Sequence, residues 1–141
     1  MQSLENALEQ DIKSLCAQGY QAYDGGDYQA ALRLFYQAWL LVPKPQMEWD
    51  IAGWVLTAIG DTYFRLENYA QGREALSSTL HCAGINNNPF VHLRLGQCQF
   101  ELGDEALARQ SLYKAYRNGG QALFKQEPAK YLAIIADLVS V

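Results

Sequence analysis

Residues 19–43, GYQAYDGGDYQAALRLFYQAWLLVP, decide the fold. Apolar side chains recur at helical spacing on both sides of Gly25-Gly26-Asp27, and Pro43 closes the second run. Glycine ends a helix readily in the left-handed region, and an aspartate caps the next one. The stretch therefore predicts two helices joined by a tight turn. No part of the chain alternates with period two between turn signals, so no strands are expected. The pattern returns in residues 60–80, GDTYFRLENYAQGREALSSTL, and in residues 96–115, GQCQFELGDEALARQSLYKA. The lead residues Gly19, Gly60 and Gly96 are 41 and 36 residues apart. That spacing fits a repeat of about 34 residues with an insertion in the first gap.

Working outward, helices are expected over residues 4–24 (capped by Ser3), 28–41, 46–66, 69–83, 90–102 and 105–117. Residues 84–89 read as a loop and residues 122–125 as a short turn, and Pro128 opens a last helix reaching about residue 138. Asp27, Asn68 and Asp104 are the expected caps, with Asn68 and Gln71 at capping-box spacing. Gly19, Gly60 and Gly96 belong where two helices cross, opposite Ala31, Gly72 and Ala108. Phe35, Leu76 and Leu112 fill the core beside them.

Composition narrows the function. The chain has 141 residues, which is one domain by size. Half of the residues are hydrophobic, which excludes a disordered tail. The net charge of −4 comes without a basic patch, so nucleic acid is not an expected partner. No apolar run is long enough to span a bilayer, and residues 1–9 lack the basic start of a signal peptide. Cys16, Cys82 and Cys98 are three in number and irregularly spaced, which suits a reducing, cytoplasmic setting.

The repeated residues resemble the tetratricopeptide repeat family. The first copy supplies Gly19, Ala31, Phe35, Ala38 and Pro43, with Tyr23 one step late. The second supplies Gly60 and Tyr63 but departs at Gly72, Leu76 and Thr79. The third supplies Gly96, Ala108, Leu112 and Ala115, with Gln99 in place of a tyrosine. The resemblance implies an all-α, right-handed solenoid of three helix pairs (about 12–45, 53–86 and 89–120) plus a capping helix over about 128–139. It also implies a non-catalytic module that binds a protein or peptide. The chain further resembles small stand-alone bacterial members of the family, through EWDIAGWVLTAIGDTYF, NPFVHLRLGQCQFELGD and ALFKQEPAKYL. Some of those neutralise a co-encoded toxin and others accompany secreted effectors. The first role, that of an immunity protein, is the leading expectation here. A chaperone for a secreted effector or translocator is the alternative. A self-assembling scaffold, adaptor or homodimer is a third reading.

In the family's register the first helix of each pair faces the partner. That places Lys13, Cys16, Ala17, Tyr20, Tyr23 and Asp24 there in the first copy. The second copy gives Trp54, Thr57, Ala58, Asp61, Phe64 and Arg65, and the third gives Phe90, Leu93, Arg94, Gln97, Phe100 and Glu101. Such an apolar, aromatic face suits an apolar segment. The competing structural reading packs several of these aromatics between repeats or under the last helix. Tyr20, Asp61 and Arg94 are the ones it fits least. The family's carboxylate clamp falls on Cys16, Tyr20, Ala58, Phe90 and Arg94, where only Arg94 suits the task, so capture of a C-terminal carboxylate is not expected.

The insertion PKPQMEWDIAGW carries Met47, Trp49 and Trp54. At 100° per residue the two tryptophans differ by about 140° in azimuth, so one can be buried while the other serves a rim. His92 reads as a structural histidine, and His81, Cys82, His92 and Cys98 lack the spacing of a zinc site. No metal, cofactor or enzymatic motif is expected.

Overall fold

A computed structural model describes residues 4–85 and 87–139. These divide into two compact units, the first ending at Ile85. The first holds α1 (Asn6–Asp24), α2 (Tyr28–Leu41), a 3-10 turn (Gln46–Glu48), α3 (Asp50–Arg65) and α4 (Tyr69–Thr79). The second holds α5 (Pro89–Glu101), α6 (Glu105–Gly119), a 3-10 turn (Gln121–Phe124), α7 (Ala129–Ala133) and a final 3-10 turn (Ala136–Leu138). No strand occurs among the described residues.

Each hairpin, α1–α2, α3–α4 and α5–α6, turns in the same way. Gly26, Glu67 and Gly103 take the left-handed conformation at φ 83°, 61° and 85°. The next residue's N–H reaches five residues back: Asp27 to Ala22, Asn68 to Tyr63 and Asp104 to Gln99, each at 2.9 Å. This pairing satisfies carbonyls that a helix end leaves open. Asp27 and Asp104 then cap α2 and α6, accepting from the N–H of Ala30 and Leu107. Asn68 makes no side-chain cap, so the capping box expected with Gln71 is not formed. Ser3, the expected cap of α1, lies outside the described residues.

The lead glycines explain how the helices pack. A β-carbon on Gly19 would lie 2.5 Å from the Phe35 ring, one on Gly60 2.5 Å from Leu76, and one on Gly96 2.7 Å from Leu112. The large residue thus sits over the glycine itself, and Phe35, Leu76 and Leu112 are fully buried.

Three helix limits differ from expectation. The helix expected over 46–66 is a 3-10 turn followed by α3, because Trp49 is extended (φ −98°, ψ 136°). Its indole Nε1 donates to the Pro43 carbonyl at 2.9 Å, and the Gln46 amide donates to the Trp39 carbonyl at 2.8 Å. These bonds tie the insertion to the end of α2. Helix α4 stops at Thr79 rather than 83: the next three N–H groups bond three residues back instead of four. Ala83 then donates to the Met47 carbonyl at 3.1 Å. The expected last helix is only α7, with 3-10 winding beyond it. At the start of α5 the Asn88 side chain accepts from the N–H of Phe90 and Val91, a cap that the loop reading of residues 84–89 did not include.

Candidate partner-binding surface

On α1, residues 13, 16, 17 and 20 follow helical spacing and share one face. With Ile51 and Trp54 from α3, the side chains of Lys13, Cys16, Ala17 and Tyr20 line an apolar cleft of about 420 Å³. Trp54 is 65% exposed and Tyr20 44%, although both are large aromatic groups. Lys13 is turned to Glu9 at 3.2 Å. Burial pushes the Cys16 thiol up, so it stays protonated near neutral pH.

One turn along α1, beyond Tyr20 at the cleft's edge, lies a polar aromatic network. Tyr20 packs edge-on against Phe35 (5.0 Å) and lies 6.2 Å from Tyr23, which packs on Tyr28. The Arg65 Nε donates to the Tyr23 hydroxyl at 2.8 Å. Burial, then the charge of Asp61, pushes the Tyr20 hydroxyl up to about 12. The same two causes raise Tyr23, against the pull of Arg65. Of the remaining α3 candidates, Thr57 Oγ1 donates to the Gly53 carbonyl and Phe64 packs near Tyr69, 5.9 Å away. The first unit thus brings Lys13, Tyr20 and Trp54 around one cleft and sets Tyr23, Asp61 and Arg65 beside it.

The second unit treats its candidates differently. The Arg94 guanidinium lies over Phe90 (4.9 Å) and its Nη1 donates to Gln97 (2.7 Å) and Glu127 (2.8 Å). The Gln97 amide donates to the same Glu127 oxygen at 2.7 Å. Glu101 accepts from the Tyr131 hydroxyl at 2.7 Å and pairs with Lys130 at 2.8 Å. Burial pushes the Glu101 carboxyl up, but these bonds outweigh it and hold the group below its ordinary range. Phe100 packs edge-on against Tyr131 at 5.4 Å. The chain's own C-terminal segment therefore engages Arg94, Gln97, Phe100 and Glu101. Of the three residues expected to be most accessible, Tyr20 is open, while Asp61 (7% exposed) and Arg94 (3%) are buried. Glu127, Lys130 and Tyr131 were not singled out in the sequence. Each lies about thirty residues from its partner, beyond any helical spacing.

The rim candidates lie outside any α-helix, so the azimuth argument made for Trp49 and Trp54 does not apply. Met47, with Trp39, Lys44, Pro45 and Gln46, lines a second cleft of about 700 Å³, and Trp49 is half-buried through its bond to Pro43. The C-terminal segment holds a further cleft of about 690 Å³, walled by Ala122, Phe124, Leu132 and Ala133 among others.

Among the described residues no group of three or more histidine, cysteine or acidic side chains is placed to hold a metal, and no helix is long and apolar enough to cross a membrane. Cys82 and Cys98 are buried. His92 is 5% exposed with no partner at Nε2, and burial, then the Lys114 charge, lowers its pKa.

Residues 57–122 match the tetratricopeptide repeat family. Solved structures are similar across nearly the whole chain. The type III secretion chaperone SycD of Yersinia enterocolitica, in complex with a peptide of the translocator YopD, is 16% identical (TM-score 0.70, 96% of this chain and 94% of that one). PcrH, a Pseudomonas aeruginosa protein, in complex with the chaperone binding region of PopB, is 23% identical (TM-score 0.65, 97% and 96%). The first tetratricopeptide domain of Spaghetti (RPAP3), bound to an HSP90 peptide, is 16% identical (TM-score 0.71, 93% and 95%). No curated protein is similar in sequence at a significant level. The fold is thus the all-α helical-repeat architecture, and residues 57–122 match tetratricopeptide repeats.

Proposed function

We propose that this protein is a non-catalytic chaperone that holds a short apolar segment of a secreted effector or translocator, acting in the cytoplasm before secretion. The observation that carries this reading is the α1–α3 cleft. It leaves Tyr20 and Trp54 open to solvent around an apolar floor, which is costly surface for a protein with no ligand to cover it. Aromatic anchors of this kind dominate binding energy where a partner excludes water. The peptide-bound SycD and PcrH structures support the same reading by analogy of fold. Toxin neutralisation, put first on sequence alone, therefore yields to the chaperone alternative.

The two roles differ in the state of the partner. A chaperone binds an isolated segment, whereas a neutraliser needs a folded toxin. The test is to capture the partner from host lysate, tile its sequence as peptides, and titrate them against the protein and its Tyr20→Ala/Trp54→Ala variant. One peptide should bind the unaltered protein and lose at least tenfold in the variant. Binding only by the folded partner, or equal affinity in the variant, overturns the reading.

A further inference from the structure

The two halves of the chain differ in charge. Residues 1–85 carry five Lys and Arg against ten Asp and Glu, and residues 86–141 carry six against five. The imbalance is concentrated where the cleft is built. Helix α1 and residues 46–65 supply six carboxylates (Glu9, Asp11, Asp24, Glu48, Asp50 and Asp61) against two cations, Lys13 and Arg65. Both cations are turned to neighbours in the same unit, Lys13 to Glu9 and Arg65 to Tyr23. Beyond the cleft's Tyr20 end the exposed Asp24 and the buried Asp61 both act on the Tyr20 hydroxyl, while the Tyr23 ring is already covered by the Arg65 guanidinium at 5.9 Å. Electron-rich ring faces backed by carboxylates favour a cation. An acidic surface around an apolar cleft also speeds encounter with basic partners and rejects acidic ones.

We infer that the segment held in the α1–α3 cleft carries an aliphatic or aromatic anchor flanked by Lys or Arg, with the basic side chain resting at the Tyr20–Asp24 end. This rests on the proposed groove binding and adds its charge selectivity. The geometry sets the spacing. Ala17, in the cleft, and Asp24, beyond its Tyr20 end, are seven residues apart on α1. At 1.5 Å per residue that is about 10 Å, a length that extended chain covers in about three residues. The basic residue therefore lies about three positions from the anchor.

Three synthetic nonapeptides test this. Each has Leu at its centre and Ser or Ala elsewhere, and they differ only at the positions three residues to either side, which are Arg, Gln or Glu. Each is titrated against the whole protein by the intensity change of Trp54, identified with a Trp54→Phe control. At low salt the Arg peptide should bind about tenfold more tightly than the Glu peptide, with Gln between them. The gap should shrink in 0.5 M salt, as screening requires. Asp24→Asn, on the exposed end of α1, should narrow the preference for Arg over Gln. Equal binding by all three peptides leaves the groove reading standing and overturns the charge selectivity. Tighter binding of the Glu peptide overturns it as well. If none of the three perturbs Trp54 at millimolar concentration, both readings fall.

Discussion

Gly19 lies so close to the Phe35 ring that an added β-carbon would stand 2.5 Å from one ring carbon and within 2.9 Å of two others. Phe35 is fully buried and cannot swing aside. Alanine normally improves a helix interior by about 1 kcal/mol over glycine. Here the clash should win, because overpacking a filled core costs about 1–3 kcal/mol. Gly19→Ala should therefore lower the unfolding midpoint in urea, and Phe35→Leu in the same chain should recover part of the loss.

Glu67 occupies the left-handed position that Gly26 and Gly103 hold in the other two turns. A side chain there costs about 1–2 kcal/mol, while glycine adds unfolded-chain entropy worth about 0.5–1 kcal/mol. Glu67→Gly should thus stabilise the protein by about 0.5–1 kcal/mol. Thermal unfolding reads this as a rise in Tm, and an unchanged or lower Tm would show that the glutamate side chain contributes contacts that outweigh the strain.

His92 is buried in the second unit with its pKa lowered by burial and then by Lys114. The unfolded chain takes up a proton near pH 6.5, whereas the folded state resists it to lower pH. Stability from this group is therefore whole above pH 6.5 and drains as pH falls from there toward the folded pKa, by up to about 1.4 kcal/mol per pH unit. Urea midpoints measured from pH 7.5 to 5 should show that slope, and His92→Gln should flatten it.

The two tryptophans of the insertion should separate binding from stability. Trp54 is open to solvent, so Trp54→Ala should shift stability by less than about 0.5 kcal/mol, the usual range for exposed sites, while weakening segment binding. Trp49 donates to the Pro43 carbonyl. Trp49→Phe should cost about 1 kcal/mol for the lost hydrogen bond and leave binding at the α1–α3 cleft intact.

Arg94 is buried against Glu127, which is itself partly exposed. Removing one member of a fully buried pair costs about 3–5 kcal/mol, and the exposure of Glu127 reduces that to about 2–3 kcal/mol. Glu127→Ala should therefore destabilise the second unit, and hydrogen exchange should show it in α5 before α1. Equal protection of α5 in both proteins would mean that the C-terminal segment does not hold it.

What the sequence revealed follows from the range of each interaction. The three hairpins were legible because Gly25-Gly26-Asp27, Glu67-Asn68 and Gly103-Asp104 act within five residues, and because 3.6-residue periodicity is a local signal. The break at Trp49 was not, since it depends on where an indole N–H finds a carbonyl in the insertion. The cleft was legible in part. Lys13, Cys16, Ala17 and Tyr20 share a face by spacing alone, and the family register brought in Trp54. The engagement of Arg94 and Gln97 by Glu127 was hidden, because nothing in the run from residue 97 to residue 127 marks which carboxylate folds back. Asp61 reads as a surface acid in any hydropathy pattern, and only the packing of α3 within the chain shows it to be buried.

The bond from Ala83 to the Met47 carbonyl has a topological consequence. Helices α3 and α4 are joined by a covalent turn at one end and by this contact at the other, so residues 47–83 form a ring closed by one hydrogen bond. A ring has no loose end from which to unravel. A cut in the Leu66–Asn68 turn would leave two strips still clasped at their far ends, and the chain could in principle be reconnected from 83 to 47 with little displacement. Where the insertion interrupts the regular repeat, it also serves as the clasp that closes the repeat after it.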